Sequence, residues 1–172
     1  YHQIRLKRRP FSPRKILSLE DKFGVDKIRT QYALELNSLS EKGTFVIKPN
    51  FMQGVVGIRR DGGEPKYLLR VFIAKHHSPK VYIISPKIQK KNGESPPHIY
   101  ELDSKWNSKE LHYDSLRLCL YYPSNEEFVY GDPLMPTVIS WAIKWTEFYE
   151  LWLLTGEWFG GGIHPGAKEK EE

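Results

Sequence analysis

The side chains best able to do covalent chemistry in this sequence are one thiol and a few imidazoles. Cys119 is the only cysteine, set in the apolar run "SLRLCLYYP" at residues 115–123, with His98 and His112 upstream. A thiolate is a strong nucleophile and a good leaving group, so it can carry an acyl group from one partner to another. Free cysteine is also among the most buried residue types, and Leu118 and Leu120 on either side suit a structural thiol equally well. A nucleophile needs a partly exposed setting that favours the thiolate. Two features bear on the choice: the run follows a long polar stretch of the kind that often holds functional residues, and Pro123 ends it, which places Cys119 near a strand end. On the residues alone, buried filler and nucleophile both stand.

Other chemistries lack their parts. A single Cys and scattered histidines supply no zinc ligand set, and the adjacent His76 and His77 would point to opposite faces of a strand. Gly160–Gly162 follow the last predicted helix instead of joining a strand to a helix, so there is no phosphate loop. Neither a metal nor a cofactor is expected. One cysteine excludes an internal disulfide, which fits a reducing, cytoplasmic setting. No apolar run approaches the roughly 18 to 20 residues of a membrane span.

Periodicity defines the elements that must position these residues. In "SPRKILSLEDKFG" Ser12 can cap a helix, Pro13 suits its first turn and Gly24 can end it. A second helix is predicted from Val25, Ile28, Tyr32, Leu36 and Leu39. "GTFVIK", "FMQGVVGIRR", "KYLLRVFIA" and "KVYIIS" then read as strands. The connections between them are too short for helical crossovers, so an antiparallel meander follows. Residues 86–114 are polar, rich in proline and without sustained period, and read as a long irregular loop. The last helix carries Val138, Ile139, Ala142, Trp145, Phe148, Tyr149, Trp152 and Leu153 on one face, with Lys144, Glu147 and Glu150 opposite. Pro136 suits its start and Gly156 its C-terminal cap. Its tryptophan stripe is expected to be core.

The chain of 172 residues is expected to form one α+β domain over 1–172, with 40% hydrophobic residues to build the core. Residues 1–11 form a basic arm and 160–172 a flexible tail. The net charge of +5 is weighted towards the N-terminus. Most aromatics nevertheless fall at core-like spacings, which argues against a nucleic-acid stacking platform. A membrane partner is not expected either.

The order helix, antiparallel meander, "SPK" strand exit, His-containing loop, Leu-Cys-Leu segment and C-terminal helix resembles ubiquitin-conjugating enzymes. More narrowly, "PPHIY", "LRLCLYYP" and "ISWAIKWTEFYELWLLTGEWFGG" resemble the bacterial ubiquitin-conjugating-like proteins of antiphage defence operons. These operons, the cyclic-oligonucleotide-based antiphage signalling (CBASS) systems, also encode a cGAS/DncV-like nucleotidyltransferase. The resemblance implies that Cys119 accepts the C-terminal carboxyl of a partner protein, the nucleotidyltransferase, as a thioester and passes it to an amine such as a lysine. The chain is expected to contain no adenylating domain and it has no phosphate loop, so the carboxyl is activated by a separate enzyme, arrives already activated, or is exchanged from an existing bond. Eukaryotic members carry His-Pro-Asn before the cysteine. His98-Ile99-Tyr100 stands at that place, matching at the His and departing at the Pro and Asn. The resemblance therefore casts His98 as an organiser of the active-site loop and Tyr100 as a hydrogen-bond donor in place of Asn. His112, Asn125, Glu126 and Asp132 are further candidates to assist the amine, although Asp132 equally suits a turn at "GDP". His164 is read as a tail residue. The competing reading is a non-catalytic interaction module of the same fold. An enzyme of this kind predicts an accessible Cys119, with Leu118 and Leu120 holding the segment to the core.

Overall fold

A computed structural model describes residues 27–61, 63–122 and 126–161. The predicted first helix, the basic arm, Asn125 and His164 lie outside these residues.

Helix α1 spans Lys27–Leu39 and buries Tyr32, Ala33 and Leu36, the three- and four-residue spacing of an amphipathic helix. Among the described residues, six strands then form one antiparallel sheet: β1 (Val46–Ile47), β2 (Phe51–Ile58), β3 (Tyr67–Ala74), β4 (Lys80–Ser85), β5 (Lys105–Asn107) and β6 (His112–Arg117). Their order is β1-β2-β3-β4-β6-β5, an α+β fold with the expected meander at its centre. In β3 burial alternates residue by residue, because successive side chains point to opposite faces. The register places Met52 opposite Ile73, Val56 opposite Leu69 and Ile83 opposite Leu116, all buried on one face.

That face carries the core. Gly54 lies on it, and a Cβ there would meet Ser40 Oγ at 1.9 Å and Leu36 Cγ at 3.3 Å, so glycine is what lets α1 approach β2 so closely. Helix α2 (Ser140–Thr155) packs on the same face through Ala142, Trp145, Tyr149 and Trp152, with Val138 and Ile139 buried just before it. A wide turn over Met135–Ile139 leads into α2, with Thr137 at φ −115°, ψ −105°. Glu35 of α1 accepts hydrogen bonds from the backbone N–H groups of Leu134 and Met135 at 2.9 and 2.8 Å. A carboxylate there satisfies donors that have no helical partner of their own. Gly156 ends α2 in the left-handed conformation at φ 80°, its N–H bonded to the Trp152 carbonyl.

Two expectations change. The stretch 86–114 is not irregular throughout, since it contains β5 and the start of β6. Trp106 meets Tyr113 edge-on at 4.8 Å across that hairpin, and Lys90 Nζ lies 4.4 Å from the Trp106 ring centre. Three residues of strand built around one aromatic pair are too short to show a period. On α2, Leu153 is exposed, while Glu150 lies within 2.6 Å of both Arg60 and Lys66 and accepts from Tyr67 at 2.9 Å. The polar side of α2 is thus stitched to the β2–β3 hairpin.

Candidate active site

Cys119 stands just past β6. Leu118 continues the ladder, its N–H bonded to the Val81 carbonyl at 2.9 Å and its side chain buried. The two-residue period of a strand then turns Cys119 away from the core. On the other side runs the loop carrying His98. Ile99 bridges Leu118, the Tyr100 N–H bonds the Arg117 carbonyl at 2.9 Å, and the Cys119 N–H bonds the His98 carbonyl at 2.9 Å. His98 thus touches the cysteine through its backbone. Its φ of 55° is unusual for a residue with a side chain and costs on the order of 1 kcal/mol. Helix α2 secures this loop from behind, since Trp145 Nε1 donates to the Pro97 carbonyl at 3.2 Å.

The thiol faces a cavity of about 300 Å³, walled by Leu120 and Tyr121 on its own segment and by Trp141, Lys144, Trp145 and Phe148 of α2. The chain after α2 folds back over this opening. Trp158 lies 5.6 Å from the His98 ring, 5.7 Å from Trp145 and 5.8 Å from Phe148, and Gly160 and Gly161 line the cavity beyond it. A Cβ on Gly160 would meet Trp158 Nε1 at 2.7 Å and Phe148 at 2.9 Å, so the backbone passes there because the residue has no side chain.

This cover corrects the expectation of an accessible cysteine: Cys119 is 8% exposed. Leu118 anchors the segment in the core, whereas Leu120 is half-buried and forms cavity wall. Burial pushes the thiol pKa up; a hydrogen bond from the Tyr100 side chain and the Arg117 charge pull against that rise, and the Glu127 charge adds to it. The thiol also donates to the Tyr121 carbonyl across 3.9 Å.

The structure brings Cys119, His98 and Tyr100 together and separates the other candidates from them. His112 is buried with Nε2 3.2 Å from Glu110 and 3.3 Å from Asp114, and it is absent from the cavity wall. Asp132 closes its own turn, accepting from the Val129 N–H at 2.9 Å. Glu126 adopts a positive φ of 52° and is also absent from the wall. Among the described residues no group of three His, Cys, Asp or Glu side chains gathers to hold a metal, and no helix is long and apolar enough to cross a membrane.

Sequence reasoning did not single out as site residues Trp141, Lys144 and Phe148 (the last two placed only on the polar and apolar faces of the final helix), Trp158 or Arg117. A signal for the first three existed. They recur at i, i+3 and i+7, which is a second stripe on α2 beside the buried one. Trp158 had no such signal, because its contacts depend on a chain reversal at Gly156.

Comparison with known protein families places the chain in one of them. The family described as Type II CBASS E2 protein matches residues 33–165, a span that includes α2, the cavity and most of α1. No curated protein matches the chain.

Proposed function

The chain belongs to the Type II CBASS E2 protein family, and from that premise we propose that Cys119 is its acyl carrier. The donor is the C-terminus of the cGAS/DncV-like nucleotidyltransferase of such a system, already activated by another agent. The Cys119 thiolate attacks the activated carbonyl carbon, the S–C bond forms, and the activating group departs with its bonding electrons. An amine, typically of a target lysine, then attacks the thioester. The C–N bond forms, the C–S bond breaks, and the thiolate is regenerated as the amine loses its proton to base.

The observation that carries this reading is the placement of the one thiol in the wall of a cavity of about 300 Å³. It stands at the end of a strand fixed on both sides by backbone hydrogen bonds. His98 serves as organiser of the loop, consistent with its carbonyl on the Cys119 N–H. Tyr100 supplies a donor to the sulfur, which favours the thiolate against the effect of burial. Trp158 and the Gly160–Gly161 backbone must swing aside, or make room, for a polypeptide terminus to reach the sulfur. Lid movements of this kind commonly accompany commitment of substrate.

The low exposure of Cys119 favours one competing reading, a non-catalytic interaction module with a buried thiol. The two separate on incubation with the nucleotidyltransferase and the activating proteins of its operon, followed by intact-mass measurement and gels with and without thiol reductant. A thiol-labile adduct is expected on the wild type, none on Cys119→Ala, and a hydroxylamine-sensitive ester on Cys119→Ser. If every activator is supplied and Cys119 stays unacylated, the module reading takes its place.

A further inference from the structure

Arg117 and Tyr100 face each other across the short bridge that also holds Cys119. With Ile99 paired to Leu118, the antiparallel register sets Tyr100 opposite Arg117 and His98 opposite Cys119. The two-residue period puts the Arg117 and Cys119 side chains on the same side, with Leu118 buried on the other. Cross-strand neighbours in this arrangement lie within side-chain reach, and the diagonal pair Tyr100 and Cys119 is reachable for a long aromatic.

The guanidinium carbon of Arg117 sits 4.3 Å from the centre of the Tyr100 ring. It is held there from a second direction by an ion pair with Asp103. Asp103 belongs to a single helical turn, Glu101–Asp103, that follows Tyr100 directly. Ser104 closes the turn on both partners: its hydroxyl donates to the Tyr100 carbonyl at 2.7 Å and accepts from the Arg117 N–H at 2.9 Å. Tyr100 cannot tilt without disturbing a stacked cation, and the cation cannot leave without breaking its carboxylate contact. The phenol is thereby held on the side of the strand that carries the thiol, within the reach of a diagonal cross-strand pair.

We propose that Arg117 is a positioning residue for Cys119, fixing the Tyr100 ring so that its hydroxyl donates to the sulfur. A cation over the ring face is attracted by the ring quadrupole, more strongly where, as here, it is largely shielded from water. It also draws charge from the ring, which strengthens the O–H as a donor. Hydrogen bonds to an ionised acceptor are about twice as strong as neutral ones, so the effect falls on the thiolate more than on the thiol. Burial holds the Tyr100 pKa above the usual phenol value, which keeps the phenol protonated and able to donate where the thiolate forms. The inference deepens the acyl-carrier reading and rests on it, but its test needs no donor protein.

The test is the second-order rate of Cys119 alkylation by iodoacetamide, followed through the pH range of thiol ionisation. Wild type, Arg117→Met, Arg117→Lys, Tyr100→Phe and the double variant Arg117→Met/Tyr100→Phe are compared. Arg117→Met is expected to slow alkylation about fivefold at neutral pH, the equivalent of one cation–π contact, and to move the midpoint of the profile upward. Arg117→Lys is expected to recover at least half of that loss. In the Tyr100→Phe background the same Arg117→Met change should cost less than about twofold, the coupling expected of a pair that acts as a unit. An Arg117→Met effect of equal size with and without the Tyr100 hydroxyl overturns the proposal. So does a loss spread evenly over all pH values with no movement of the midpoint. If circular dichroism shows Arg117→Met unfolded, the cycle is run with Arg117→Lys. Intact coupling with no acylation in the donor assay would sink the acyl-carrier reading alone; normal acylation without coupling would sink only the role of Arg117.

Discussion

The two ends of β6 hold the two buried histidine environments nearest Cys119 in sequence, and they differ in kind. At the start of the strand, His112 is enclosed by Glu110 and Asp114 and paired in register with Asn107. At its exit, Cys119 lies against His98, a residue three times farther away along the chain than His112. An extended strand rises roughly 3.3 Å per residue, so seven residues carry His112 roughly 20 Å from the thiol. A bridge between Ile99 and Leu118 cancels the longer separation entirely. Proximity in sequence is a poor guide across a strand, and a hydrogen-bonded crossing of two segments outweighs it.

The cover over the exit of β6 gives the largest effect that would test this contrast. Trp158→Ala removes the indole from His98, Trp145 and Phe148, and Cys119 alkylation is expected to speed up about tenfold. That corresponds to roughly 1.4 kcal/mol of closure lost. An unchanged rate would mean that the cover does not limit access, and that the thiol is shielded by its own segment instead.

A smaller effect is expected from Glu127→Gln. The Glu127 charge pushes the Cys119 pKa up, after burial as the main cause. The amide keeps an oxygen for the Tyr122 N–H, which Glu127 accepts at 2.9 Å. With the negative charge gone the thiolate is less disfavoured. The alkylation midpoint should fall, and the rate below that midpoint should rise about twofold, as expected for a screened charge near the surface. A midpoint that moves up would reverse the assignment of sign.

The smallest effect on the thiol is expected at the other end of the strand. His112→Gln should lower stability by about 1 kcal/mol, the worth of one hydrogen-bonding partner lost from a buried site, as measured by urea unfolding. It should change Cys119 alkylation by less than about twofold. A larger change would show that the two ends of β6 communicate, and would restore His112 as a helper of the site.

Much of the fold was legible in advance because it rests on local periodicity. The alternation in β3, the apolar spacing in α1 and the glycine after α2 each carry their meaning within a few residues. The site was legible in part. Cys119, His98 and Tyr100 stood out through the resemblance, and the structure gathers them. Asp132 and His112 stood out too, but each is occupied by its own neighbours. A buried thiol was one of the two readings the residues left open, but its cover was not legible, because it comes from a segment whose glycines read as a loose tail.

By itself the sequence determined an antiparallel α+β domain and a single thiol at a strand exit, and its motifs pointed to the family, since periodicity, residue chemistry and motif are written along the chain. Tertiary structure alone decided which groups meet that thiol. The Arg117–Tyr100 stack, the Trp145 bond to the Pro97 carbonyl and the fold-back of Trp158 all join segments distant along the chain. Such contacts follow from register and from the direction of one chain reversal, and neither leaves a period for a sequence to show.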